Sequence, residues 1–124
     1  MKKEHATIYD VSLRDGSHAI SHQLTTEQIS EYAKAADKAN LYAIEVGHGN
    51  GIGASSILVG KSRLSDEEML ITAKENLTNT KLGIHVIPGF ATINKDLKKA
   101  LDIGVDIFRI ASHCTEADTT ERHI

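Results

Sequence analysis

Leu82-Gly83-Ile84-His85-Val86-Ile87, stopped by Pro88-Gly89, reads as a β-strand bounded by turn residues. Ile93, Leu97, Ala100 and Leu101 then recur at helical spacing, and Gly104 supplies a helix stop. Val105-Asp106-Ile107-Phe108-Arg109-Ile110-Ala111 is again short and rich in β-branched residues. Strand, helix and strand in this order form the crossover unit of a parallel sheet.

The same unit recurs upstream. Thr7 to Ser12 predicts a first strand. Thr25 and Gln28 have the spacing of a capping box, and Ile29, Tyr32, Ala33 and Ala36 continue as an amphipathic helix to about Asn40. Tyr42 to Val46 predicts the second strand. The glycine-rich run Gly47 to Gly53 must be a loop, read as mobile or covering a substrate. Ser65 and Glu68 form a second capping box, ahead of a stripe of Leu70, Ala73 and Leu77. Thr115-Glu116-Ala117-Asp118 reads as the first turn of a fourth helix.

The chain therefore alternates as βαβαβαβ, an α/β pattern with a parallel sheet. A closed (β/α)₈ barrel takes about 250 residues and twice as many strands. The expectation is that residues 1–124 form the first half of a TIM barrel, the N-terminal part of a catalytic domain and a truncated one. A four-stranded open sheet is the alternative, and periodicity does not separate the two.

Composition narrows the function. The 124 residues carry 14 Lys+Arg against 17 Asp+Glu, a net charge of −3, which excludes the basic footprint of a nucleic-acid binder. Hydrophobic residues at 40% and charged residues at 25% are ordinary globular values. No apolar run approaches the roughly 18–20 residues that span a bilayer. The basic start, Met1-Lys2-Lys3, leads into no apolar segment, so no secretory signal is expected. One cysteine, Cys114, excludes an internal disulfide. A cytoplasmic protein is expected.

In parallel α/β folds, ligands sit beyond the C-terminal ends of the strands. Residues able to do chemistry gather there: Arg14, Asp15 and His18; Glu45 and His48; His85; Ser112, His113 and Cys114. Arg14 can grip a carboxylate or an enolate with its fork of donors. Asp15 suits a hard divalent metal. His18 titrates near neutral pH and can serve as a general base. A solvated turn with a surface ion pair is the plain alternative for this cluster. Glu45 interrupts an apolar strand, and a carboxylate there needs a partner. His85 reads as a satisfied interior histidine. His5, His22 and His123 read as surface residues. Gly49 to Ala54 formally fits a dinucleotide fingerprint, but the next helix cap, Ser65, comes too late for a helix N-terminus to meet a pyrophosphate. Cys114 beside His113 makes no dyad, because adjacent extended residues point apart.

Three blocks carry a resemblance: Asp10-Val11-Ser12-Leu13-Arg14-Asp15-Gly16-Ser17-His18-Ala19-Ile20, Ile44-Glu45-Val46-Gly47-His48-Gly49-Asn50-Gly51, and Ser112-His113-Cys114-Thr115-Glu116-Ala117-Asp118. In this order they resemble the 4-hydroxy-2-oxovalerate aldolase family of metal-dependent pyruvate aldolases. These are TIM-barrel enzymes related to isopropylmalate synthase and hydroxymethylglutaryl-CoA lyase. The resemblance implies Asp15 as a ligand of a divalent ion, most often Mn²⁺. It implies Arg14 as the stabiliser of a pyruvate enolate and His18 as the base acting on the 4-hydroxyl of a 2-oxo acid. Glu45 and Ser112 would be supporting or substrate-lining positions. An acylating aldehyde dehydrogenase would be the protein partner, with no nucleic acid and no membrane involved.

The family's His-x-His metal pair is absent, since none of the seven histidines lie two apart. Ser21, Gly47 and Asn50 also depart from the family pattern. The 124 residues alone are therefore expected to bind metal weakly and to turn over nothing measurable. A carboligase joining an acyl-CoA to a 2-oxo acid, or a self-associating, non-catalytic half-barrel, are the competing expectations.

Overall fold

The computed structural model describes residues 4–124; the basic start at Lys2 and Lys3 lies outside them. Strands β1 (Tyr9–Asp10), β2 (Ala43–Glu45), β3 (Lys81–Val86) and β4 (Ile107–Ile110) form one parallel sheet in the order β1-β2-β3-β4. Helices α1 (Thr26–Lys38), α2 (Asp66–Glu75) and α3 (Lys98–Ile103) fill the connections. The α/β architecture read from the sequence is present, with neighbours in space that are neighbours in sequence, as in successive staves of a barrel.

Both capping boxes form. Thr25 Oγ1 accepts the Gln28 N–H at 3.2 Å while Gln28 Oε1 accepts the Thr25 N–H at 3.0 Å. Ser65 and Glu68 repeat the exchange at 3.1 and 2.8 Å. Each box satisfies two donors that a helix start otherwise leaves unpaired.

Alternation along the strands divides the sheet into two unlike faces. Ile44, Leu82, Ile84 and Val86 lie buried beneath Ile29 and Ala33 of α1, Met69 and Leu70 of α2, and Ala100 of α3. That apolar layer is the core, and its burial is the main driving force for the fold. The opposite face carries polar side chains and faces away from the helices.

Three expectations need correction. Leu101 belongs to the predicted stripe but is 62% exposed. Ile93–Leu97 is a wide π-type turn leading into α3, which shifts the phase of the residues after it. The fourth helix is absent: Cys114–His123 is a run of 3₁₀ turns broken at Glu116, with none of its residues buried. Without an apolar face there is nothing to hold a longer helix against the sheet. The glycine run from Gly47 is mostly buried and packed, not an open cover; the exposed part of that connection is its tip, at Ile57 and Leu58. Among the described residues, no helix is long and apolar enough to cross a membrane.

Candidate functional site

The register pairs Tyr9 with Ala43, Glu45 with Gly83, and His85 with Arg109. Tyr9, Glu45, His85 and Arg109 therefore share the face turned away from the helices. Glu45, fully buried, is the hub. Its Oε1 accepts from Arg14 Nε at 2.7 Å and from Arg109 Nη2 at 2.8 Å. Its Oε2 accepts from the Tyr9 hydroxyl at 2.5 Å and from Arg109 Nε at 2.9 Å. Burial pushes the Glu45 pKa up, but the bonds from Arg109, Tyr9 and Arg14 outweigh it and hold the carboxyl at about 2. The same neighbourhood raises Tyr9 well above the usual phenol range, through burial first and then through Glu45. With every acceptor position taken, Glu45 can meet a ligand only through the residues it holds.

Arg14 is such a residue. Its side chain is 10% exposed, fixed at Nε by Glu45 and at Nη1 by the Gly49 carbonyl at 3.0 Å. Nη1 also reaches Asp15 Oδ1 at 3.2 Å, and the Asp15 side chain is 63% exposed. The pair is therefore a buried cation beside an open carboxylate, not a solvated surface turn. The chain bends here because Asp15–Ile20 coils into a 3₁₀ turn, absent from the sequence reading. That turn swings His18 back over Gly49, where an added Cβ would run into the imidazole. Arg14, Asp15 and His18 thus meet at the ends of β1 and β2.

His22 and His48 lie beneath. His22, expected at the surface, is buried, and stacks on fully buried His48 with centroids 3.6 Å apart and planes 15° from parallel. The His18 ring stands edge-on to His22 at 5.1 Å. The Asn50 N–H donates to His48 Nδ1 at 3.0 Å, so His48 Nε2 carries the proton and donates to the Gly60 carbonyl at 2.9 Å. Burial, then the neighbouring His48 and His18, lower the His22 pKa. His85 is interior as expected, and among the described residues its Nδ1 has no hydrogen-bond partner. Burial, then Arg14 and Arg109, lower its pKa.

Ser112 is exposed beyond β4. With Ile87, Pro88 and His113 it lines a groove of about 240 Å³ that the Arg14 cluster does not line. Cys114 is exposed. Asp15 offers one open carboxylate oxygen to a cation, but among the described residues no group of three or more His, Cys, Asp or Glu could hold a metal ion. These residues supply one ligand and do not complete a site.

Tyr9 and Arg109 were missed by the sequence reading. Arg109 carried the same signal as Glu45, a charge inside an apolar strand, and the two charges answer each other.

The HMGL-like family profile matches residues 5–123. The chain is 58% identical to a 4-hydroxy-2-oxovalerate aldolase of Pectobacterium atrosepticum over 115 residues, 93% of this chain and 34% of that protein. It is 60% identical to one from Spirochaeta aurantia over 94% of this chain and 34% of that protein. For one from Serratia proteamaculans the identity is 56% over 94% and 35%. The chain spans about a third of the length of these curated relatives.

Proposed function

The chain belongs to the HMGL-like family of TIM-barrel proteins, and from that premise we propose that it supplies one side of the active site of a metal-dependent aldolase. The reaction is cleavage of a 4-hydroxy-2-oxo acid, such as 4-hydroxy-2-oxovalerate, to pyruvate and a short aldehyde. The observation that supports it most is that Arg14 and His18 meet at Gly49, with Asp15 paired to Arg14.

His18 takes the proton from the 4-hydroxyl. The C3–C4 bond then breaks, its electron pair passes into the pyruvate enolate, the aldehyde leaves, and a proton added at C3 turns the enolate into pyruvate. Arg14, held by Glu45 and the Gly49 carbonyl, presents the rest of its guanidinium to the developing enolate oxygen. Glu45 acts by holding Arg14. Asp15 would supply one carboxylate ligand to a divalent cation, with Mn²⁺ the favoured ion, and such a cation would supply Lewis-acid polarisation of the 2-oxo acid. Ser112 would line the substrate's path from the groove beyond β4. An acylating aldehyde dehydrogenase is the partner that takes the aldehyde, and the setting is cytoplasmic.

The test is pyruvate release from 4-hydroxy-2-oxovalerate with added Mn²⁺. The 124-residue chain alone is expected to release none. The same sequence continued through further strands that carry a His-x-His pair is expected to release pyruvate, and Asp15→Asn in that protein to abolish it. Full turnover by the Asp15→Asn protein overturns the assignment.

A further inference from the structure

Ser21 and His22 both adopt the left-handed backbone region, with φ of 52° and 61°. Two such residues in succession, neither a glycine, persist only where the surroundings enforce them. Here His22 ties three segments together. Its N–H donates to the Ser17 carbonyl at 2.8 Å, within the turn that bears His18. Its carbonyl accepts the Arg63 N–H at 3.1 Å, from the connection that leads into α2. Its Nδ1 accepts the Gly49 N–H at 3.2 Å. An N–H donor fixes Nδ1 as the unprotonated nitrogen, so His22 is the neutral Nε2–H tautomer. His48 backs it face to face, and Gly60 closes on its Cδ2 edge, where an added Cβ would sit 3.0 Å away.

Among the described residues, none hydrogen-bonds the His18 ring. Its ring rests on the Gly49 backbone and packs T-shaped against the His22 ring. Gly49 is in turn pinned from both ends, by His22 at its N–H and by Arg14 at its carbonyl. We propose that His22 is a positioning residue for His18: by gripping the Gly49 N–H through Nδ1, from a left-handed turn backed by His48, it fixes the surface on which the His18 ring rests. The inference rests on the aldolase reading only in calling His18 a base; the placement itself is a property of this chain.

The test needs no turnover, so its failure is distinct from failure of the aldolase reading. In the 124-residue chain, NMR follows two quantities: the nuclear Overhauser contacts between the His18 ring protons and the Gly49 Hα atoms, and the exchange rate of the Gly49 amide. Wild type is expected to show the contacts and a protected amide. His22→Ala removes the acceptor and is expected to lose both, while the amides of β3 and α2 stay protected. His22→Asn keeps a carbonyl oxygen near the Nδ1 position and tolerates the left-handed backbone, and is expected to restore both. Persistence of the His18–Gly49 contacts in His22→Ala overturns the proposal, and so does an Asn variant that behaves like Ala. Should His22→Ala fail to fold, His22→Gln replaces it, since its amide reaches the Nε2 position and leaves the Gly49 N–H unserved.

Discussion

Tyr9 reaches across from β1 to give its hydroxyl proton to Glu45 of β2 at 2.5 Å, through a gap that exists because residue 83 is a glycine. A Cβ on Gly83 would collide with the phenol oxygen. Tyr9→Phe leaves Glu45 Oε2 with Arg109 as its remaining donor and is expected to cost about 1–2 kcal/mol. Gly83→Ala forces the ring aside and is expected to cost about 1–3 kcal/mol. Urea midpoints at constant m-value check both, and a Gly83→Ala protein as stable as wild type would refute the steric account.

Glu45 also predicts an acid limb of stability. Its folded pKa of about 2 lies below its ordinary 4.5. A depressed carboxyl pKa adds stability above the unfolded value, and that contribution drains away as pH falls from about 4.5 towards 2. The shift corresponds to roughly 3 kcal/mol. Stability measured between pH 2 and 6 should fall across that window, and Glu45→Gln should flatten this part of the slope. The same variant leaves two arginines facing a neutral amide, so it should also be less stable at pH 7, by about 3–5 kcal/mol. A slope unchanged in Glu45→Gln would assign the limb to other carboxylates.

How much of this was legible in the sequence depends on how far each residue's partner lies along the chain. Thr25 and Gln28, or Ser65 and Glu68, satisfy one another within a single turn, so the helix starts could be read directly. Glu45 was legible as a charge that needed a partner. The identity of the partners was not, because Tyr9 and Arg109 lie 36 and 64 residues away and face Glu45 only once the strand register is set. His22 misled for a related reason. Its burial follows from a left-handed turn and a glycine 27 residues on, and neither alters the local pattern of apolar residues. Leu101 fitted the stripe, and a single wide turn moved it out.

Gly49→Ala places a methyl group where the His18 imidazole stands. The fold should survive, because the sheet and its apolar layer lie elsewhere. On the proposed mechanism, displacing His18 by about 1 Å in a complete barrel that carries this sequence should lower kcat on the order of 100-fold. The measurement is kcat and KM for pyruvate release, with circular dichroism as the folding control. Wild-type kcat in Gly49→Ala would remove His18 from its assigned place.

Arg109 separates geometry from charge. It meets Glu45 with two parallel donors, Nε and Nη2, on the two carboxylate oxygens, at 2.9 and 2.8 Å. A lysine keeps the charge but cannot reproduce the fork. Arg109→Lys should therefore leave Glu45 ionised while freeing it to pivot, and Arg14, which shares Oε1, should loosen with it. With the Arg109 side chain 43% exposed, the stability loss should be modest, about 1 kcal/mol. On the proposed mechanism, in which Arg14 faces the charge that develops during cleavage, the effect on activity should be larger in proportion, with kcat falling more than KM rises. Arg14→Ala sets the scale, with an expected loss of about 3 kcal/mol in transition-state stabilisation. An Arg109→Lys enzyme with unchanged kcat and a lowered urea midpoint would confine Arg109 to holding the fold together, whereas a kcat defect without a stability defect would place it in the chain of contacts that aims Arg14.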